Sequence, residues 1–242
     1  MKRTLALVGL LLAIAVGAQF ALRSVRAAAT PALAEGAYAA LGGLRSIVAE
    51  VVWFRADRLQ EEGRYVELAQ LAATLAAMEP HTPEIWSYAS WNLAYNISVM
   101  MPTHEDRWRW VLAGIELLRD KGLALNPGDP SLCCELAWLF ELKLCAEVDS
   151  ASPTFRRLWR RTVEDVKARG AWEELKMDPL KMREIERATG LDDWGDGCLS
   201  AIYWASEGLP AADVHLRQRL LAIIRQSQVI YRKNRASAVR IL

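Results

Sequence analysis

Three stretches of this chain repeat one helical register: a large side chain, a small one, then another large one. Val52, Ala56 and Leu59 stand four and three apart, and so do Trp86, Ser90 and Leu93, and again Cys133, Ala137 and Phe140. Residues at those spacings share one face of a helix. The small residue in the middle lets a second helix approach closely, so the pattern specifies stacked helix pairs. No segment alternates apolar and polar residues with the β-branched enrichment a sheet requires. The expected fold class is therefore all-α.

Gly and Pro punctuate the same stretches. A helix is expected from 44 to 62, ended by Gly63, then Tyr65, Leu68, Ala72 and Leu75, with Pro80 closing the unit. Taking Ala49 as the first position, these landmarks resemble the second half of a tetratricopeptide unit, whose period is about 34 residues. Arg55 departs from that pattern, standing where the family prefers an apolar residue. Pro83 opens a second unit, in which Trp86, Ala89, Ser90 and Leu93 resemble the Trp-x-x-Leu-Gly-x-x-Tyr signature. This unit is expanded, because Asn126-Pro127 closes it 44 residues after Pro83. Pro130 opens a third with Cys133, Leu136, Ala137 and Phe140, expected to end before Pro153. The resemblance covers residues 49 to about 145, and it implies a helix-pair array over 44–150 followed by capping helices over 151–242. Helical patterning there runs over 154–169, 180–189, 198–207 and 214–235.

The first residues read as an address. Lys2 and Arg3 precede an apolar run from Leu5 to Leu22, about 18 residues that would span roughly 27 Å as a helix, close to the thickness of a bilayer's hydrocarbon core. That length favours an uncleaved single-span anchor over 1–29. Arg26-Ala27-Ala28-Ala29 leaves a cleaved signal open as the alternative, and a buried soluble helix is the third reading. Residues 30–43 form an Ala- and Gly-rich linker. The basic residues on the two sides nearly balance, and the free α-amino group tips the expected topology toward a body outside the cytoplasm. The four Cys, three of them in one apolar helical stretch, are expected to be buried thiols rather than a disulfide or metal site.

Net charge is +1, so nothing global points to nucleic acid. His81, His104 and His215 have no second His or Cys at ligand spacing, which argues against a metal. Asp192-Asp193-Trp194-Gly195-Asp196-Gly197 fails the calcium-loop template at Trp194 and Tyr203 and reads as a turn capping the next helix. No G-x-S-x-G, Walker loop, G-x-G-x-x-G or H-E-x-x-H occurs, so neither an enzyme nor a cofactor is expected.

The resemblance implies a concave face lined by the first helix of each pair. Its exposed polar candidates for protein contact are Arg55, Arg58, Asn92, Asn96 and Glu135. The family's carboxylate-clamp subset carries Lys and Asn at positions that here hold Ser87 and Trp91, so that clamp is not transferred. With ten Trp in the chain, an aromatic surface for a glycan or lipid is the alternative function. Trp108 and Trp110 project on opposite sides of one helix, so one of them is expected near the surface. The C-terminal stretch 214–242 carries seven Lys or Arg and no Asp or Glu. Leu216, Leu220, Ile223 and Ile224 form its apolar stripe, while Arg217, Arg225 and Arg232 share the opposite face, which suits either a docked terminal helix or contact with anionic lipid. The expectation is a membrane-anchored adaptor or assembly factor of a bacterial-type envelope, its body extracytoplasmic.

Overall fold

The computed structural model describes residues 54–239, apart from 57 and 147. The expected anchor, the linker and the first part of the helix from 44 lie outside the described residues. Among the described residues every regular element is helical, and no helix is long and apolar enough to cross a membrane. Two compact units part between Pro80 and His81.

In the first unit a helix over 54–56 and 58–61 meets α1 (Tyr65–Met78) through Gly63. Gly63 has φ +70°, a left-handed conformation that costs other residues about 1–2 kcal/mol. Its N–H donates to the Gln60 carbonyl at 3.0 Å, and the Arg64 N–H donates to the Leu59 carbonyl at 2.9 Å. The turn expected at this glycine is thus formed. Ala56, Leu59, Leu68, Ala72 and Leu75 are buried.

The second unit starts with α2 (Pro83–Trp91), which runs into a π turn, Asn92–Ile97; α3 (His104–Glu116) does the same through Leu117–Gly122 and ends with a last α turn, Leu123–Leu125. Pro83 suits the first turn of α2, where its missing N–H has no helical partner in any case. Thr103 caps α3, its Oγ1 accepting the Asp106 N–H at 3.1 Å. The two helices run antiparallel. A Cβ at Gly114 would lie 2.9 Å from the Ser90 carbonyl oxygen, and one at Gly122 would lie 3.2 Å from the Trp86 Cβ. Ser90 is fully buried and donates its hydroxyl to the Gly114 carbonyl at 2.9 Å. The small central residue does permit close approach, as its register demands.

The next helix, α4 (Pro130–Phe140), is capped by the Asp129 carboxylate, which accepts the Ser131 and Leu132 N–H groups, and it too ends in a π turn, Glu141–Cys145. Its partner arrives late. After α5 (Ser152–Arg169), a 3₁₀ turn at Trp172–Leu175 and α6 (Pro179–Thr189), the chain returns as α7 (Gly197–Gly208), which packs antiparallel along α4. A Cβ at Gly208 would stand 2.9 Å from the Cys133 Cβ, and one at Gly197 would collide with Leu144. Asp196 caps α7 by accepting the Cys198 N–H at 2.9 Å, the role its turn was expected to play. A 3₁₀ turn at Leu209–Ala211 leads into α8 (Val214–Val239), which packs on α7 and α4. α5 fills the side of the unit through Trp108–Phe155 and Phe140–Trp159 ring contacts at 5.7 and 5.0 Å.

The cysteine reading needs correction. Cys145 and Cys198 form a disulfide, while Cys133 and Cys134 are buried free thiols. The apolar surroundings that suggested four inert thiols are real, but the helix pairing that brings residues 145 and 198 together is long-range. Elements on both sides of residue 150 therefore belong to one packed unit, α4 with α7 and α8.

Candidate functional site

A shallow surface cleft without interior room for a water molecule lies between α2 and α4. Ser87 and Trp91 enter it from α2, Tyr95 from the following π turn, and Glu135 and Trp138 from α4. Trp91 and Tyr95 are one helical turn apart and their rings stack at 6.1 Å. Trp138 stacks on Tyr95 from the facing helix at 5.5 Å, with 28° between the planes. All three rings are half-buried. Glu135 lies one turn before Trp138 and meets Arg219 of α8 at 3.5 Å.

Behind the rings lies a buried charged group. A π turn bonds residue i to i+5, and this widened turn returns Lys143 to the side of Trp138, where its ammonium stands 4.1 Å from the Tyr95 ring centre. Lys143 is 3.5 Å from Asp149, which also accepts from Arg107 at 2.8 Å and from the Ala151 N–H at 2.9 Å. Burial raises the affinity of Asp149 for its proton, but the Ala151 N–H, Arg107 and Lys143 outweigh it, and the net direction is below the ordinary carboxylate value. Burial lowers Lys143 against the opposing pull of Asp149. Glu141 is also buried, its Oε1 has no hydrogen-bond partner, and burial raises it. The Tyr95 phenol is pushed well above its usual range, first by burial and then by Glu135, Glu141 and Asp149.

The candidates for protein contact are dispersed. Arg55 is exposed in the first unit, and Arg58 there is paired with Glu62 at 2.9 Å. Asn92 is fully buried and accepts the Asn96 amide at 3.0 Å, so the half-buried Asn96 is the member of that pair with a surface. Glu135 alone among the five lines the cleft, beside Ser87 and Trp91. Trp108 is buried and Trp110 half-exposed. Arg217, Arg225 and Arg232 are all exposed along α8, whose buried stripe is Leu220, Ile223, Ser227 and Tyr231; Leu216 and Ile224 are half-buried at its edges. The helix is docked through that stripe, with its basic face outward. Sequence reasoning missed Trp138, Lys143 and Asp149. The first shares a face with Glu135, three residues away, a spacing open to inspection; the other two depend on a π turn and a loop with no local signature.

Among the described residues no group of three or more His, Cys, Asp or Glu is arranged to hold a metal. No family model matches this chain, and no curated protein or solved structure matches it either.

Proposed function

We propose that this protein is a membrane-anchored adaptor or assembly factor that binds other proteins through a tetratricopeptide-like array at a bacterial-type cell envelope. The observation that carries the reading is the cleft between α2 and α4, the first helices of two consecutive units, lined by stacked half-buried aromatics and a carboxylate. Aromatic side chains with a polar rim are the composition that dominates protein-contact energetics. The antiparallel α2–α3 pair, closed over Ser90 and Gly114, supports the array. The Cys145–Cys198 disulfide supports an oxidising compartment, and with it a body outside the cytoplasm. The basic face of α8 supplies a second contact, to anionic lipid beside the anchor.

The test is affinity purification of the full-length anchored protein with identification of co-eluting proteins. A specific partner should be captured, and Glu135→Gln with Asn96→Ala should weaken capture more than they lower melting temperature. Capture of no protein, or capture indifferent to these changes and to Arg55→Ala with Arg58→Ala, would remove the adaptor reading in favour of a glycan- or lipid-binding surface.

A further inference from the structure

We propose that α8 is an interfacial helix whose outward line lies flat on an anionic bilayer surface. Val214, Leu221 and Val229 enter between the headgroups, while Arg217, Arg225 and Arg232 hold the lipid phosphates. The inference rests on the lipid contact read above for this helix and adds how that contact is made. Val214, Gln218, Leu221, Arg225, Val229 and Arg232 follow one another at spacings of four and three, so they form one line along the helix, about 27 Å long. That line lies opposite the stripe of Leu220, Ile223, Ser227 and Tyr231 through which α8 is docked. Val214 is 69% and Val229 64% exposed, Ala222 beside them is exposed, and Leu221 is half-buried. A single bare valine is ordinary on a protein surface. Two on one line, alternating with arginines and with no carboxylate among them, make a pattern.

The cations of α8 divide into two sets. Arg219 meets Glu135 at 3.5 Å, and Arg235 meets Asp192 at 3.2 Å and the Tyr231 hydroxyl at 2.8 Å, so both belong to the edges where α8 joins the body. Arg217 and Arg225 meet no carboxylate among the described residues, and Arg232 gives one N–H to the Thr189 carbonyl at 3.5 Å and keeps its others. Asp213, the acid just before the helix, accepts the Leu216 N–H at 2.8 Å as a cap. From Val214 onward the chain has no Asp or Glu. The outer line thus carries positive charge and apolar surface together. Charge alone would suit an acidic protein, but such a partner would set its carboxylates against the valines. A bilayer interface offers both chemistries at once, anionic oxygens at the headgroups and hydrocarbon just below them. Arginine stems lie in the second while their guanidiniums reach the first.

The experiment uses the full-length protein reconstituted in vesicles. Ala222→Cys places a reporter on the outer line; the native cysteines are buried or disulfide-bonded, so an environment-sensitive maleimide dye labels position 222 alone. Glu164→Cys, at an exposed position of α5, is the control. Each variant is first shown to melt like the parent. In vesicles containing phosphatidylserine the dye at 222 should shift to the blue and be quenched by lipids carrying a nitroxide high on the acyl chain; the dye at 164 should not. Neutral vesicles should give neither effect. High salt should weaken the quenching without removing it. Val214→Ser with Val229→Ser, both exposed changes, should lower the ratio of docked to free helix about ten-fold and remove the part that survives salt. Quenching that is indifferent to the serine pair, or that salt abolishes outright, would overturn insertion and leave the electrostatic contact standing. No quenching in any vesicle removes insertion and the lipid reading together, and a dye shift with poly-L-glutamate would then assign this face to an acidic protein.

Discussion

Cys145, the last residue of the π turn after α4, is joined by a disulfide to Cys198 in the first turn of α7, their Cα atoms 4.6 Å apart and Gly197 pressed against Leu144. The bond links residues separated by 53 positions. Closing a loop of that length in the unfolded chain contributes about 4 kcal/mol in the chain-entropy account. Cys145→Ser with Cys198→Ser should lower stability by that order in denaturant titration. Maleimide should label no cysteine in the native protein, two after denaturation and four after denaturation with reductant, as intact mass will show. Burial pushes Cys133 up to about 12 and Cys134 up to about 11, so neither thiol is a nucleophile in the folded state.

The half-buried Asp149 and the buried Glu141 should respond to pH in opposite senses. Asp149 has its proton affinity lowered on folding, so its contribution is present above the ordinary carboxylate value of 3.8 and lost as pH falls through its lower folded value. Glu141 is raised, so its neutral form is favoured and stability declines as pH climbs from 4.5 through the folded value. Glu141→Gln should raise the melting temperature at neutral pH and leave it unchanged well below 4.5. Asp149→Asn should cost about 3 kcal/mol at neutral pH, because it leaves Arg107 and Lys143 largely buried and uncompensated. Thermal melts of both variants across the acid range check the pair.

Two glycines should fail for different reasons when changed to alanine. At Gly63 nothing lies within 4 Å of the added methyl, and the cost is the left-handed backbone alone, about 1 kcal/mol. At Gly197 the backbone is ordinary but the methyl meets Leu144, and overpacking of this kind costs about 1–3 kcal/mol. Gly63→Asn should recover most of its loss, since Asn tolerates that conformation; Gly197→Asn should be worse than Gly197→Ala. Denaturant midpoints of the four variants measure the difference.

The exposed Arg217, Arg225 and Arg232 give α8 a surface that anionic lipid would attract, each near-surface charge contributing about 1 kcal/mol. A chain lacking residues 1–29, first shown to melt cooperatively, should co-sediment with vesicles containing phosphatidylserine, less so at high salt. Changing the three Arg to Gln should abolish that binding. Equal sedimentation with neutral vesicles, or none with either, leaves α8 as a docked terminal helix.

What the sequence makes legible here is local. The pairing of residues 84–99 with 105–121, the turn at Gly63 and the starts at Pro83 and Pro130 follow from register and punctuation within a few turns of helix, and the structure forms them all. The partner of α4 is not local, and so its identity and the disulfide were not read. A signal was present. Gly197 and Gly208 are spaced like Leu144 and Cys133, the residues they face, each pair about three helical turns apart. In the cleft, Glu135 and Trp91 were visible as residues on helix faces, whereas Lys143 and Asp149 behind it were not, because their pairing depends on α3, the π turn after α4 and the loop that follows coming together.

The delayed return of α7 also sets an order of events for the chain as it emerges. Cys133, Cys134 and Cys145 appear together, and the thiol that Cys145 requires lies 53 residues further on. Until α7 arrives, the nearest oxidisable neighbours of Cys145 are the wrong ones, and a short loop closes more readily than a long one. Correct pairing therefore competes with local mispairing, and it is won only when helix packing holds residues 145 and 198 in contact. In an oxidising compartment such a chain would mature at the pace of thiol exchange, and a disulfide isomerase would set its yield.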